Sequence, residues 1–117
     1  MPDSATAYSL TLETERKDGV AVVRCRGRLV AGVGDAFYAK VSKLIPDNQR
    51  IVLDLTDLTH VDSMGLGALV RLYVSSKAAG CSLELINLGR RIRELLGITH
   101  LLSVFSIVGE HGPTIRY

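Results

Sequence analysis

The run Ile51-Val52-Leu53-Asp54-Leu55 constrains this chain more than any other feature. It is almost wholly aliphatic and too short for a helix, which is the pattern of a strand buried on both faces of a parallel sheet. A parallel strand needs crossover connections, so the rest of the chain must supply further strands and the helices between them. Tyr8, Leu10 and Leu12 alternate with Ser9, Thr11 and Glu13, predicting a half-buried edge strand from Tyr8 to Glu15. The Asp18-Gly19 turn signal and the run Val20 to Cys25 make the first two strands an antiparallel hairpin, with Gly27 ending the second.

Helical spacing follows. Phe37, Val41, Leu44 and Ile45 recur at helical intervals after Asp35, which is placed as the N-cap, and Pro46 stops the helix. A longer helix spans Met64 to Ala79, about 24 Å, with Leu66, Leu69, Val70 and Tyr73 inward, small residues on its other face and Gly80 at C′. Ser82 to Ile86 reads as a strand, and Arg90 to Leu96 as a short helix with Ile92, Leu95 and Leu96 inward and Gly97 at its end. Ser103 to Val108 reads as the last strand. The result is an α/β fold: a mixed, mainly parallel sheet of about five strands opening with an antiparallel hairpin, its crossovers right-handed.

At 117 residues the chain has room for one domain, with a core from 8 to 108 and an irregular tail from 109 to 117. A chain of this size buries roughly two-thirds of its surface, so it needs no metal or disulfide to hold it. The net charge of +2 is too small for an electrostatic nucleic-acid binder. Cys25 and Cys81 form no CxxC pair and lie in apolar surroundings, which reads as two small buried thiols in a reducing cytoplasm. The first residues carry no basic and apolar leader, and no stretch approaches a membrane span, so neither export nor membrane insertion is expected.

Chemistry points to the stretch from Asp54 to Gly67, which joins the buried strand to the long helix at the strand's carboxyl end, where open α/β sheets gather ligands. Ser63 falls at or beside the helix N-cap. Gly65 and Gly67 in the first turns each cost about 1 kcal/mol against Ala, which calls for close packing on the sheet or close approach of a partner. The stretch has no GxxxxGK[ST], no third glycine after Gly65-Leu66-Gly67, and no GxSxG around Ser63, so phosphate-loop, dinucleotide and hydrolase motifs all fail. His60, His100 and His111 have no metal-ligand spacing. Asp54, Asp57 and Asp62 offer magnesium-type oxygen ligands, but Asp in such positions usually caps and turns. No metal or cofactor is expected. Arg90, Arg91 and Arg93 gather at the start of the third helix, where cations oppose the macrodipole. A phosphate or an acidic partner would relieve them, though a solvated basic face offset by Glu94 is the preferred account.

With the strand Ile51 to Leu55 before it, Asp62-Ser63-Met64-Gly65-Leu66-Gly67-Ala68-Leu69 resembles the STAS domain of bacterial anti-sigma-factor antagonists. The shared pattern is an apolar strand with a terminal Asp, then Asp-Ser or Asp-Thr, one residue, Gly and a Leu-rich helix. The element order from 8 to 108 agrees. The resemblance implies a non-enzymatic switch in which Ser63 is phosphorylated by an anti-sigma factor that is also a serine kinase and restored by a phosphatase. The unphosphorylated chain would bind the kinase and free its sigma factor. Asp62, Met64, Gly65, Leu66 and Gly67 would lie in the interface, with Leu29 and Val30 at the end of the second strand. Two positions depart from the family pattern: Val30 stands where Asp is common, and 109–117 carries Gly112 and Pro113 where a final helix is usual. The missing helix leaves room for a homodimer or a larger STAS assembly. Alternative readings are a scaffold subunit of a stress-sensing STAS assembly, a transport-associated STAS domain, and a small nucleotide-binding protein or hydrolase using Ser63.

Overall fold

A computed structural model describes residues 10–99 and, as backbone alone, the strand Ser106–Val108. Tyr8, His100, His111, residues 103–105 and the tail 109–117 lie outside the described residues. β1 (Leu10–Lys17) and β2 (Val20–Leu29) form the expected antiparallel hairpin. Its two turn residues, Asp18 and Gly19, have φ of 53° and 80°, the mirror-type turn that matches strand twist. β1 ends two residues later than expected, at the turn itself. Only Leu10 is buried and Leu12 half-buried, as befits an edge.

Gly27 does not end β2. At φ 111° it sits beside a register shift, a bulge, and the strand resumes to Leu29 because β3 (Arg50–Val61) runs on alongside it. β3 is twelve residues long rather than five. Its polar second half looks like a loop in the sequence, yet it pairs with β2 as far as Leu29 with Val61. Arg26 answers Asp57 across the two strands, 3.7 Å away.

α1 (Gly34–Ser42) starts after Val33, and Asp35 is a first-turn acid rather than the cap. The helix stops before Pro46, whose ring would clash with the carbonyl of Ser42 in a continuing helix. A 3₁₀ turn, Ile45–Asp47, takes over. α2 (Ser63–Ala78), β4 (Ser82–Ile86), α3 (Arg90–Ile98) and β5 (Ser106–Val108) complete the order. α2 closes as expected with Gly80 at φ 75°, the N–H of Gly80 bonding Lys77 and that of Cys81 bonding Ser76. Its inward face differs from the expectation: Gly65, Ala68, Leu69, Leu72 and Ser76 are buried, while Leu66, Val70 and Tyr73 are only half-buried. Small residues lie inside because α1 packs close; a methyl added at Gly34 would stand 3.5 Å from that of Ala68. Gly97 does not stop α3, which continues to Ile98, and Leu95 is half-buried.

The sheet order is β1-β2-β3-β4-β5, antiparallel at the hairpin and parallel elsewhere, with β3 central as expected. Register aligns Ala21, Ile51 and Leu83 in one row and Val23, Leu53 and Leu85 in the next. Against this face pack Phe37 and Val41 of α1, Leu69 and Leu72 of α2, and Ile92 and Leu96 of α3. The other face surrounds buried Val52 with charged pairs: Arg50 donates to Glu84 at 2.8 and 2.9 Å, and Arg24 lies 3.8 Å from Asp54. β3 is buried on both faces, though the described helices reach the core from one. Cys25 and Cys81 are buried and free, as read.

Candidate functional site

At the carboxyl end of β3 the chain passes through Asp62 straight into α2. Asp62, not Ser63, is the N-cap: its Oδ1 accepts from the N–H of Gly65 at 2.9 Å. Its Oδ2 accepts from the N–H of Ala31, also at 2.9 Å, and its own N–H donates to the carbonyl of Leu29 at 3.3 Å. One carboxylate thus ties the start of α2 to the turn between β2 and α1. The N–H bonds from Gly65 and Ala31 hold the Asp62 carboxyl below the usual carboxylate range. The sequence places Ser63 at or beside the cap, and it is the residue beside it; Asp and Ser rank alike as caps. The signal that separates them is Gly65, three residues after Asp62, whose N–H the cap needs.

Ser63 is therefore the first helical residue. It is exposed, and its hydroxyl has no hydrogen-bond partner among the described residues. Met64 beside it is 63% exposed, an unusual place for a thioether. The two glycines part company here. A methyl at Gly65 would run into the carbonyl of Leu29, so this glycine lets α2 sit on the β2 end. At Gly67 a methyl would meet nothing within 4 Å, and the fold gives no reason for a glycine there. Leu29 is buried, while Val30 is half-buried on the neighbouring turn.

The structure brings Asp62, Ser63, Met64, Gly65, Leu29 and Val30 to one corner, with Leu66 turned partly inward and Gly67 outward. Asp54 and Asp57 do not join them. Burial works against the charge on Asp54, but hydrogen bonds from the Thr56 hydroxyl and N–H and the Asn87 amide, with Arg24 nearby, lower its pKa overall. Asp54 is the hub of the β3–β4 edge. Asp57 faces Arg26. Among the described residues no three His, Cys, Asp or Glu side chains are grouped to hold a metal ion. His60 Nδ1 lies 2.9 Å from the Thr59 hydroxyl, and no hydrogen bond joins it to Ser63. The corner offers an exposed hydroxyl on a helix start with a fixed carboxylate behind it.

Comparison with known proteins shows which family the chain resembles. The STAS domain family model matches residues 11–114. The chain is 35% identical over 83 residues to the anti-sigma-B factor antagonist of Bacillus subtilis (strain 168), covering 67% of this chain and 76% of that one. It is 28% identical over 101 residues to the anti-sigma F factor antagonist of Paenibacillus polymyxa, covering 85% and 86%. Among solved structures, the Bacillus anti-sigma factor antagonist SpoIIAA superposes in its unphosphorylated form with a TM-score of 0.72, at 20% identity, covering 86% of this chain and 90% of that one. Its phosphorylated form gives 0.67, at 20% identity and 86% and 94% coverage. Among the described residues no helix is long and apolar enough to cross a membrane.

Proposed function

The chain belongs to the STAS domain family, and on that premise we propose that it is an anti-sigma-factor antagonist switched by phosphorylation of Ser63. The observation that carries this reading is the state of Ser63: exposed, first in α2, its hydroxyl unengaged and the cap already supplied by Asp62. A serine that does not cap is free to be modified without undoing the helix start. Unmodified, the corner of Ser63, Met64, Gly67 and Val30 binds an anti-sigma factor that is also a serine kinase, and the sigma factor is released. Phosphate transfer to the Ser63 oxygen adds about −1.5 to −2 charge and three acceptor oxygens. The positive end of α2 accommodates that charge, so the fold persists. The partner surface does not accommodate it: bulk, desolvation and repulsion worth about 3 kcal/mol weaken a complex more than 100-fold. A phosphatase then restores the serine.

The test is capture from the source organism's lysate with wild type, Ser63→Ala and Ser63→Asp, reading both the bound proteins and the Ser63 peptide by mass spectrometry. A kinase held by wild type and the Ala variant, lost with Asp, together with phosphate on Ser63, is the expected result. The same proteins on all three baits and an unmodified Ser63 would overturn the reading.

A further inference from the structure

A groove of about 320 Å³ opens between the carboxyl end of β3 and α3. Val61, Ile92 and Leu95 are its less exposed lining, and His60, Arg91 and Ile98 stand at its rim with Glu94. Ile98 is 76% exposed, more than any other large apolar side chain described. The groove begins two residues before Ser63 and lies outside the corner assigned above.

Several cations near it are left without a carboxylate partner among the described residues. Arg24, Arg26, Arg50 and Arg71 each have a carboxylate within 4 Å. Arg28, Arg90 and Arg91 make no ion pair among the described residues. Arg91 lines the groove, Arg28 is the register partner of the lining residue His60, and Arg90 precedes Arg91 in α3. Arg90 and Arg91 open α3, whose N-cap is Gly89, a residue with no side chain to engage the first free N–H groups. Positive charge on a positive helix end is unfavourable alone and is relieved by an arriving anion. An apolar lining with a basic border suits an acidic chain that brings one apolar anchor.

We propose that this groove docks an acidic segment bearing one bulky aliphatic side chain, presented by the same protein that reads Ser63. The anchor seats against Ile92, Leu95 and Ile98, and the carboxylates face Arg28, Arg90 and Arg91. The link to Ser63 rests on the function proposed above; the charge and shape of the groove stand without it.

The first arm uses amide NMR on the full chain with a synthetic peptide of Asp and Glu around one central Leu, the same peptide with Lys for the acids, and the same with Ala for the Leu. The acidic Leu peptide should shift the His60, Val61, Ile92, Leu95 and Ile98 amides saturably, and the two controls should not. Arg91→Glu and Ile98→Asp, both at exposed positions, should each raise its Kd tenfold or more, while Arg16→Glu at the far hairpin leaves it unchanged. Absence of saturable shifts, shifts outside the groove, or equal binding of the Lys peptide would overturn the proposal. The second arm measures the kinase captured with wild type against the Arg91→Glu, Ile98→Asp double variant. Loss of tenfold or more supports the shared partner, and equal binding overturns it. If no kinase is captured while the peptide still binds the groove, the Ser63 reading fails and the groove remains a docking site for a different protein.

Discussion

Gly65 and Gly67 look alike in the sequence, two glycines in the opening of a helix, and only the structure separates them. The first is forced by the Leu29 carbonyl and the second faces open space. Gly65→Ala should therefore destabilise the chain by about 1–3 kcal/mol through forced backbone shift, whereas Gly67→Ala should stabilise it by about 0.5–1 kcal/mol. Urea titration of the two variants checks the sign of each. If Gly67 is kept open for a partner, its Ala variant will be more stable and bind the kinase less well. The cysteines were legible as buried thiols, and burial, with the Asp54 charge adding to it, pushes Cys25 up to about 12. A thiol reagent should thus label Cys25 in the native chain only as fast as the chain opens, and at once in denaturant.

For whole elements, the order of strands and helices was readable because each has its own period and its own punctuation, such as Asp18-Gly19 and Gly80. The ends were less readable wherever a neighbouring strand decided them. Thr56, Asp57 and Thr59 carry loop chemistry, yet β2 beside them keeps β3 extended to Val61. The start of α2 was readable to within one residue, Ser63 instead of Met64, because a cap is defined by which N–H it reaches, and Asp62 reaches that of Gly65. Ser63→Ala should leave the melting temperature unchanged, while Asp62→Ala should lower it by several degrees and loosen the turn at Ala31, as amide exchange would report. A negative charge on Ser63 stands beside the Asp62 carboxylate and disfavours its ionisation. Ser63→Asp or the phosphorylated chain should accordingly show Asp62 titrating at higher pH than in wild type, measured by carboxyl-carbon NMR. An unchanged Asp62 titration would mean that the helix start absorbs the new charge completely.

Across the whole molecule, aspartate carboxylates tie the carboxyl edge of the sheet together beside the packed core. Asp54 links β3 to Asn87 after β4 and faces Arg24 on β2, and Asp62 links α2 to the turn before α1. The links to Asn87, Arg24 and Ala31 join residues far apart in the chain, so no local pattern announced them; the sequence showed three aspartates, and the fold gave each a partner, Asp57 facing Arg26. Both carboxyls titrate below the ordinary 3.8 in the folded chain. On acidification the unfolded chain binds protons first, near pH 4, and stability then falls with pH. The contribution of both groups is complete above about pH 4 and is lost as pH falls through their lowered folded values. The urea midpoint should therefore hold between pH 7 and 5 as far as these groups decide it, then drop below about pH 4. The Asp54→Asn, Asp62→Asn double variant should start lower and fall less steeply. Native-state amide exchange should place the first losses at Thr56, Ala31 and Gly65, whose N–H groups these carboxylates accept, before the rows of Ile51 and Leu53 open. Loss of protection in the core rows first would show that packing, not the carboxylates, sets the acid limit.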